Sequence, residues 1–268
     1  MTIIRSLLFN TAFYLNLIIQ MIIFTPYYFL SPRKQAWSVP KNWAKSNLWL
    51  QKVIAGTDHH IDGLENIPDG PYICAAKHQS FWDTYAFLPH IADPVYILKR
   101  ELTWIPLFGW YIKKMKMVPI DRGKRSAAMK TAVKGARKAV AENRQLMIYP
   151  EGTRTAPGAA PHYKYGVAHI YGELGIPVVP IAHNAGLYWP RRKFMRYPGV
   201  IHSRILPPIP PGLDNDAFLK KLEEVTEAAC DDLLIQAAKS DNPPPMPPTA
   251  INRLKELGVD VLSAGVQR

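Results

Sequence analysis

Cysteine is scarce in this chain of 268 residues: only Cys74 and Cys230 occur, far apart and in no C-x-x-C pair. That excludes a zinc ribbon or a disulfide framework and leaves two inert thiols in a reducing compartment as the simple reading. Other signatures are missing as well. No G-x-S-x-G, P-loop or G-x-G-x-x-G run is present, which argues against a serine lipase, an NTPase or a dinucleotide enzyme. His59 and His60 are neighbours whose side chains diverge, a poor metal pair, and no metal or cofactor is expected. Acidic residues are in deficit, with 21 Asp and Glu against 33 Lys and Arg, a net charge of +12 and a pI near 9.6. Such an excess favours an anionic partner: nucleic acid, an acidic protein or an anionic lipid surface.

Charge is lacking altogether from Ser6 to Leu30, where Leu, Ile, Phe and Tyr dominate. A membrane span needs roughly 20 apolar residues, so the length permits one. Asn10, Asn16 and Gln20 interrupt the run, and no small-residue cleavage site succeeds it, so it is a poor signal peptide. Residues 36–54 mix Trp37, Trp43 and Trp49 with Lys41, Lys45 and Lys52, a composition suited to the headgroup boundary. Thr25-Pro26 and Ser31-Pro32 offer breaks between the two segments. A pair of helices lying in one leaflet is expected, with a single span as the alternative.

The rest of the chain alternates between short apolar runs and amphipathic stretches. Tyr72 to Ala76, Val95 to Leu98, Gln145 to Tyr149 and Val178 to Ala182 read as short strands. Helices are expected over Trp82 to Leu88, Arg125 to Glu142, Val167 to Leu174 and Asp216 to Lys239. In the second of these Met129, Ala132, Val133, Ala136 and Val140 share a face, while Lys130, Lys134, Arg137 and Lys138 fall mostly on another. The pattern indicates an α/β fold with a largely parallel sheet flanked by helices and an N-terminal membrane-associated helical segment. Three parts are expected: residues 1–56 as the anchoring segment, 57–240 as the α/β domain, and 241–268 as a Pro-rich linker and tail.

Four blocks carry chemistry. His78-Gln79-Ser80-Phe81-Trp82-Asp83 comes straight after a strand, where sites form in parallel α/β folds. A turn there would put the Asp83 carboxylate on one imidazole nitrogen of His78 and leave the other to take a proton from an alcohol. Tyr149-Pro150-Glu151-Gly152-Thr153-Arg154 also comes after a strand. Gly152 permits unusual backbone geometry, Thr153 and Arg154 are donors, and Arg154 can grip a phosphate with two parallel bonds. Glu151 would orient Arg154 or bind substrate hydroxyls. Lys99-Arg100-Glu101-Leu102, running on to Ile120-Asp121-Arg122-Gly123, gathers cations near a turn. Val179-Pro180-Ile181, continuing to Gly186, is either an acyl-pocket wall or a core strand. Each block alone is also what an ordinary turn or strand would show.

In this order the four blocks resemble the glycerolipid acyltransferases, and most of all the bacterial 1-acylglycerol-3-phosphate acyltransferases. His78 and Asp83 match H-x-x-x-x-D, residues 151–154 match E-G-T-R, residues 120–122 match I-D-R, and residues 179–181 match V-P-[IV]. The likeness runs from about Gly63 to about Pro211. Lys116 stands where many members have Gly, and Tyr165 where many have Pro. The resemblance implies that His78 and Asp83 are catalytic and that Arg122, Glu151, Gly152, Thr153 and Arg154 hold the glycerol phosphate. Lys99 is a further candidate, either for substrate or for the oxyanion. The partners implied are lysophosphatidic acid, acyl-CoA or acyl carrier protein as donor, and membrane phospholipids, with no nucleic acid. The inner membrane, with the domain facing the cytoplasm, is the expected location. Three rivals remain open: an acyltransferase acting on another lysolipid, a lipid or thioester hydrolase, and a non-catalytic membrane or nucleic-acid binding protein.

Overall fold

The computed structural model describes residues 1–121, 123 and 125–259. The chain opens on α1 (Thr2–Leu30), α2 (Arg33–Ala36) and α3 (Ser38–Leu50). Helix α1 is long and apolar enough to cross a membrane. Pro26 lies inside it, so the expected break at Thr25-Pro26 is absent and the chain turns at Ser31-Pro32 instead. Asn16 and Gln20 of α1 face protein. Asn16 donates to Ser46 Oγ at 2.8 Å, Gln20 donates to Asn16 Oδ1 and to Ser46 Oγ, and Asn42 donates to Gln20 Oε1. These bonds join α1 to α3. Ile3, Leu7, Ile18 and Ile22 on the outer face are exposed, and an uncovered apolar row of this size calls for a partner.

Next in the chain is a mixed sheet of seven strands, in the order β1-β7-β6-β2-β5-β3-β4. The strands are β1 (Thr57–Asp62), β2 (Ile73–Ala76), β3 (Pro94–Lys99), β4 (Val118–Ile120), β5 (Gln145–Ile148), β6 (Val178–His183) and β7 (Gly199–Ile205). All neighbours pair in parallel except β6 with β7. Between them lie α4 (Phe108–Lys114), α5 (Arg125–Ala141), α6 (Gly166–Leu174) and the single turn α7 (Ala185–Tyr188). Helices α8 (Asn215–Ala238) and α9 (Pro248–Glu256) close the chain. Strands β2, β5 and β6 are buried throughout, as parallel strands covered on both faces must be.

Apolar side chains cover both faces of the sheet. One layer gathers Phe9 and Phe13 of α1 with Trp82, Tyr85 and Trp189. The other gathers Ala132 and Ala136 of α5, Ala168 of α6 and Phe218 of α8. The basic residues Lys130, Lys134, Arg137 and Lys138 lie away from that layer, as the period of α5 requires. Gly135 is needed there: a Cβ on it would come within 2.5 Å of the Val118 side chain in β4.

One expected helix is missing. Residues 82–88 form short 3-10 turns at Trp82–Thr84 and Leu88–His90. Two causes are visible: the Asp83 carboxylate takes the backbone N–H groups of Gln79 and Ser80, and Pro89 cannot continue a helix. A buried cluster fastens the amino-terminal segment to the domain. Arg33 and Arg144 both bond Asp93, and the Trp37 indole donates to it at 2.8 Å.

Candidate active site

The sheet order itself assembles the site. Strand β2 lies between β6 and β5. All three run parallel, with Ala75 level with Ile148 on one side and Pro180 on the other. Strands in a sheet are spaced by about 4.8 Å, so the loops leaving the three carboxyl ends are adjacent. His78 leaves β2, the E-G-T-R block leaves β5, and His183 ends β6.

His78 Nδ1 is 2.9 Å from Asp83 Oδ1. An ionised carboxylate can only accept, so Nδ1 carries the proton and Nε2 keeps its lone pair. Asp83 is fully buried, and its Oδ2 accepts the N–H groups of Gln79 at 2.9 Å and Ser80 at 2.8 Å. These two bonds fix the orientation of the carboxylate. The Tyr149 ring stacks on His78 with centroids 4.2 Å apart, and its hydroxyl donates to the Asp83 carbonyl at 3.0 Å. The imidazole is therefore held by its plane and by one nitrogen. Among the described residues, Nε2 has no partner, and the His78 side chain keeps 15% exposure, so that nitrogen is open to a ligand.

Glu151 faces inward. It is 2% exposed, and its carboxylate accepts the His78 N–H at 2.8 Å and lies 2.9 Å from Lys77 Nζ. Its other bond is from the Thr155 hydroxyl. With these bonds the buried carboxylate acts as a strut under the His78 backbone. Lys77 is buried with it and also pairs with Glu227 at 2.6 Å. Burial opposes the ammonium charge, but Glu151 and Glu227 outweigh it and hold the group above its ordinary range.

Gly152 adopts φ +67°, a left-handed conformation that disfavours side chains. It turns the chain so that Thr153 is exposed and Arg154 half-buried. The Thr155 N–H donates to the His78 carbonyl at 2.8 Å, which pins Arg154 next to the catalytic loop. The Arg154 guanidinium makes no hydrogen bond or ion pair to the described residues. Lys99 is at the carboxyl end of β3, half-exposed and 3.2 Å from Glu101; β5 separates its strand from that of His78. Arg122 lies outside the described residues. Strand β6 is core, and its contribution to the site is His183, whose Nε2 is 2.8 Å from the Lys77 carbonyl.

Three features escape sequence reasoning. His183, Lys77 and the Tyr149 stack sit inside or beside the four sequence blocks, but nothing local tells their direction. Neither thiol is an activated nucleophile: burial pushes both Cys74 and Cys230 up to about 12.

Residues 58–184 match the family model described as Acyltransferase. The chain is 37% identical over 191 residues to a 1-acyl-sn-glycerol-3-phosphate acyltransferase of Pseudomonas aeruginosa, covering 71% of this chain and 74% of that one. It is 31% identical over 210 residues to the enzyme of that description in Saccharomyces cerevisiae, covering 75% and 69%. The crystal structure of the 1-acyl-sn-glycerophosphate acyltransferase of Thermotoga maritima superposes with a TM-score of 0.73 at 25% identity, covering 87% of this chain and 98% of that one. With an open His78 imidazole held on a buried Asp83 at the carboxyl ends of this sheet, the chain belongs to the 1-acyl-sn-glycerol-3-phosphate acyltransferase family.

Proposed function

We propose that this protein moves a fatty acyl group from an acyl thioester to the 2-hydroxyl of 1-acylglycerol 3-phosphate, giving phosphatidic acid. The observation that carries the reading is the His78–Asp83 pair with its free Nε2, placed beside an uncommitted Arg154. Nε2 takes the hydroxyl proton as the oxygen attacks the thioester carbonyl. Asp83 stabilises the imidazolium that forms. The tetrahedral oxyanion collapses, the C–S bond breaks, and the imidazolium returns its proton to the departing thiolate. Transfer is direct. The Ser80 hydroxyl is buried and donates to the Trp189 carbonyl at 2.8 Å, and the thiols are inert, so no covalent acyl-enzyme is needed.

Arg154 holds the phosphate of the acceptor, with Thr153 as a second donor. The donor is acyl-CoA or acyl carrier protein, and the cations on the outer face of α5 suit either acidic partner. Helices α1 and α3 lie as a hairpin in the cytoplasmic leaflet of the inner membrane. There the reactive hydroxyl of a lysolipid, at headgroup depth, meets the mouth of the site. Purified protein assayed with a panel of lysolipids against both donor types tests the reading. Thiol release that requires 1-acylglycerol 3-phosphate supports it. Release at the same rate without any lysolipid would mean a hydrolase and refute it.

A further inference from the structure

The segment from Trp189 to Tyr197 belongs to none of the four sequence blocks, yet it is fastened to the site on two sides and to helix α1 on a third. The Trp189 carbonyl accepts the Ser80 hydroxyl within the His78–Asp83 loop. The Arg191 guanidinium donates to the Arg154 carbonyl. Ser6 Oγ accepts the Arg196 N–H at 2.9 Å, and Asn10 Nδ2 donates to the Phe194 carbonyl at 3.0 Å. The segment carries Arg191, Arg192, Lys193 and Arg196 and no acidic residue. Arg196 is spent on the loop itself, donating to the carbonyls of residues 193–195 and lying 4.3 Å over the Trp189 ring. The Arg191 guanidinium has only its one bond to the Arg154 carbonyl among the described residues, and its Nε, like that of Arg196, is buried without a partner. Arg192, at φ +57°, is exposed and makes no bond to the described residues.

We infer that Arg191 and Arg192 complete, with Arg154, a binding site for the dianionic phosphomonoester of the acceptor lysolipid, and that they select it over phosphodiester lysolipids. The inference rests on the activity proposed above and adds residues that the sequence blocks do not contain. A phosphomonoester has a second pKa near about 6 and carries close to two charges at neutral pH, whereas a phosphodiester carries one. Three guanidiniums with no ion pair to a carboxylate of the described residues match the former, and planar donors engage phosphate oxygens in pairs. The electrostatics agree with this crowding. Burial lowers the proton affinity of Arg154, Asp83 raises it, and Arg191 and Arg192 lower it again. An anion relieves the repulsion. The tie to α1 sets these cations at the level where a lipid phosphate lies when α1 meets the bilayer.

The test is steady-state kinetics of Arg191→Gln and Arg192→Gln in neutral detergent micelles, with 1-acylglycerol 3-phosphate and lysophosphatidylglycerol as acceptors. Arg192 is exposed and makes no hydrogen bond or ion pair to the described residues, so Arg192→Gln decides the matter if Arg191→Gln does not fold. The expected result is a rise of about tenfold or more in KM for 1-acylglycerol 3-phosphate, an unchanged KM for the thioester, and a lower rate ratio of phosphomonoester to phosphodiester acceptor. An unchanged acceptor KM, or a rise shared by the donor, would overturn the inference. So would an effect seen only on anionic vesicles and absent in micelles, which would assign these arginines to the membrane surface. Wild-type protein that acylates no lysolipid would instead refute the activity on which the inference rests.

Discussion

His183 Nε2 lies 3.5 Å from Asp83 Oδ2, the carboxylate oxygen that His78 does not use. His183 is neutral for geometric reasons. Its Nε2 must donate to the Lys77 carbonyl, and its Nδ1 accepts the Ala185 N–H at 3.3 Å. Burial lowers its proton affinity in the same sense. One imidazole is thus a fixed polar wall for the carboxylate, and the other is the base.

The two histidines should behave differently when replaced. His78→Ala removes the base and should lower kcat by about 10²–10⁴-fold with the fold intact. His183→Leu should lower kcat by less, leave both KM values alone and shift the acid limb of the kcat/KM profile. His183→Gln, which can still donate to the Lys77 carbonyl, should recover most of the loss. Rates for His78→Ala close to wild type, in protein with a normal circular dichroism spectrum, would remove His78 from the mechanism.

Glu151→Gln tests the strut. The amide keeps the volume but loses the charge facing Lys77 and the His78 N–H. Leaving one member of a buried charged network unmatched costs about 3 kcal/mol, so the melting temperature should fall together with kcat, while the acceptor KM holds. A raised acceptor KM with unchanged stability would return Glu151 to the substrate.

Arg154→Lys keeps the charge and loses the planar fork. The acceptor KM should rise and the donor KM should not. The opposite pattern in a kinetic matrix of both substrates would reassign Arg154 to the thioester.

Asp93 should shape acid stability. Burial pushes its carboxyl up, but the bonds from Arg33, Arg144 and Trp37 prevail and hold it below its ordinary value. Its folded pKa is thus lower than the unfolded value of about 3.9. The contribution is fully present above that value and is lost as pH falls through the lower, folded one. Asp93→Asn should cost about 3 kcal/mol at neutral pH, and its deficit relative to wild type should shrink in acid. Unfolding curves that stay parallel from pH 7 to pH 3 would show that Asp93 is not the titrating group.

The proposed hairpin placement of α1 and α3 is argued from the inward-facing Asn16 and Gln20 and the exposed Ile18 and Ile22. A cysteine introduced at Thr2 should react with an impermeant thiol reagent only from the cytoplasmic side of inner-membrane vesicles. Labelling only from the opposite side would mean that α1 crosses.

Much of this molecule is local and so legible in one dimension. Helix α5 announces itself because Ala132, Ala136 and Val140 recur at the helical period, and β2, β5 and β6 because short apolar runs end at Gly, Pro or polar turns. The His78, Asp83 and Arg154 positions are equally readable, since they come directly after those strands. Strand β1 is not: Thr57-Asp-His-His-Ile-Asp62 is largely polar, and only pairing with β7 along its whole length makes it a strand. Nor is the reversal of β7 against β6 readable, because direction within a sheet depends on the path of the connection. Side-chain direction is the other limit. A sequence names Glu151 and His183, but whether a carboxylate meets water or the N–H of a residue 73 positions earlier depends on which strands are neighbours. The chemistry was written in the order of residues. The tertiary structure decided which of those residues face the substrate and which hold the others still, because burial and hydrogen-bond geometry are properties of neighbours in space.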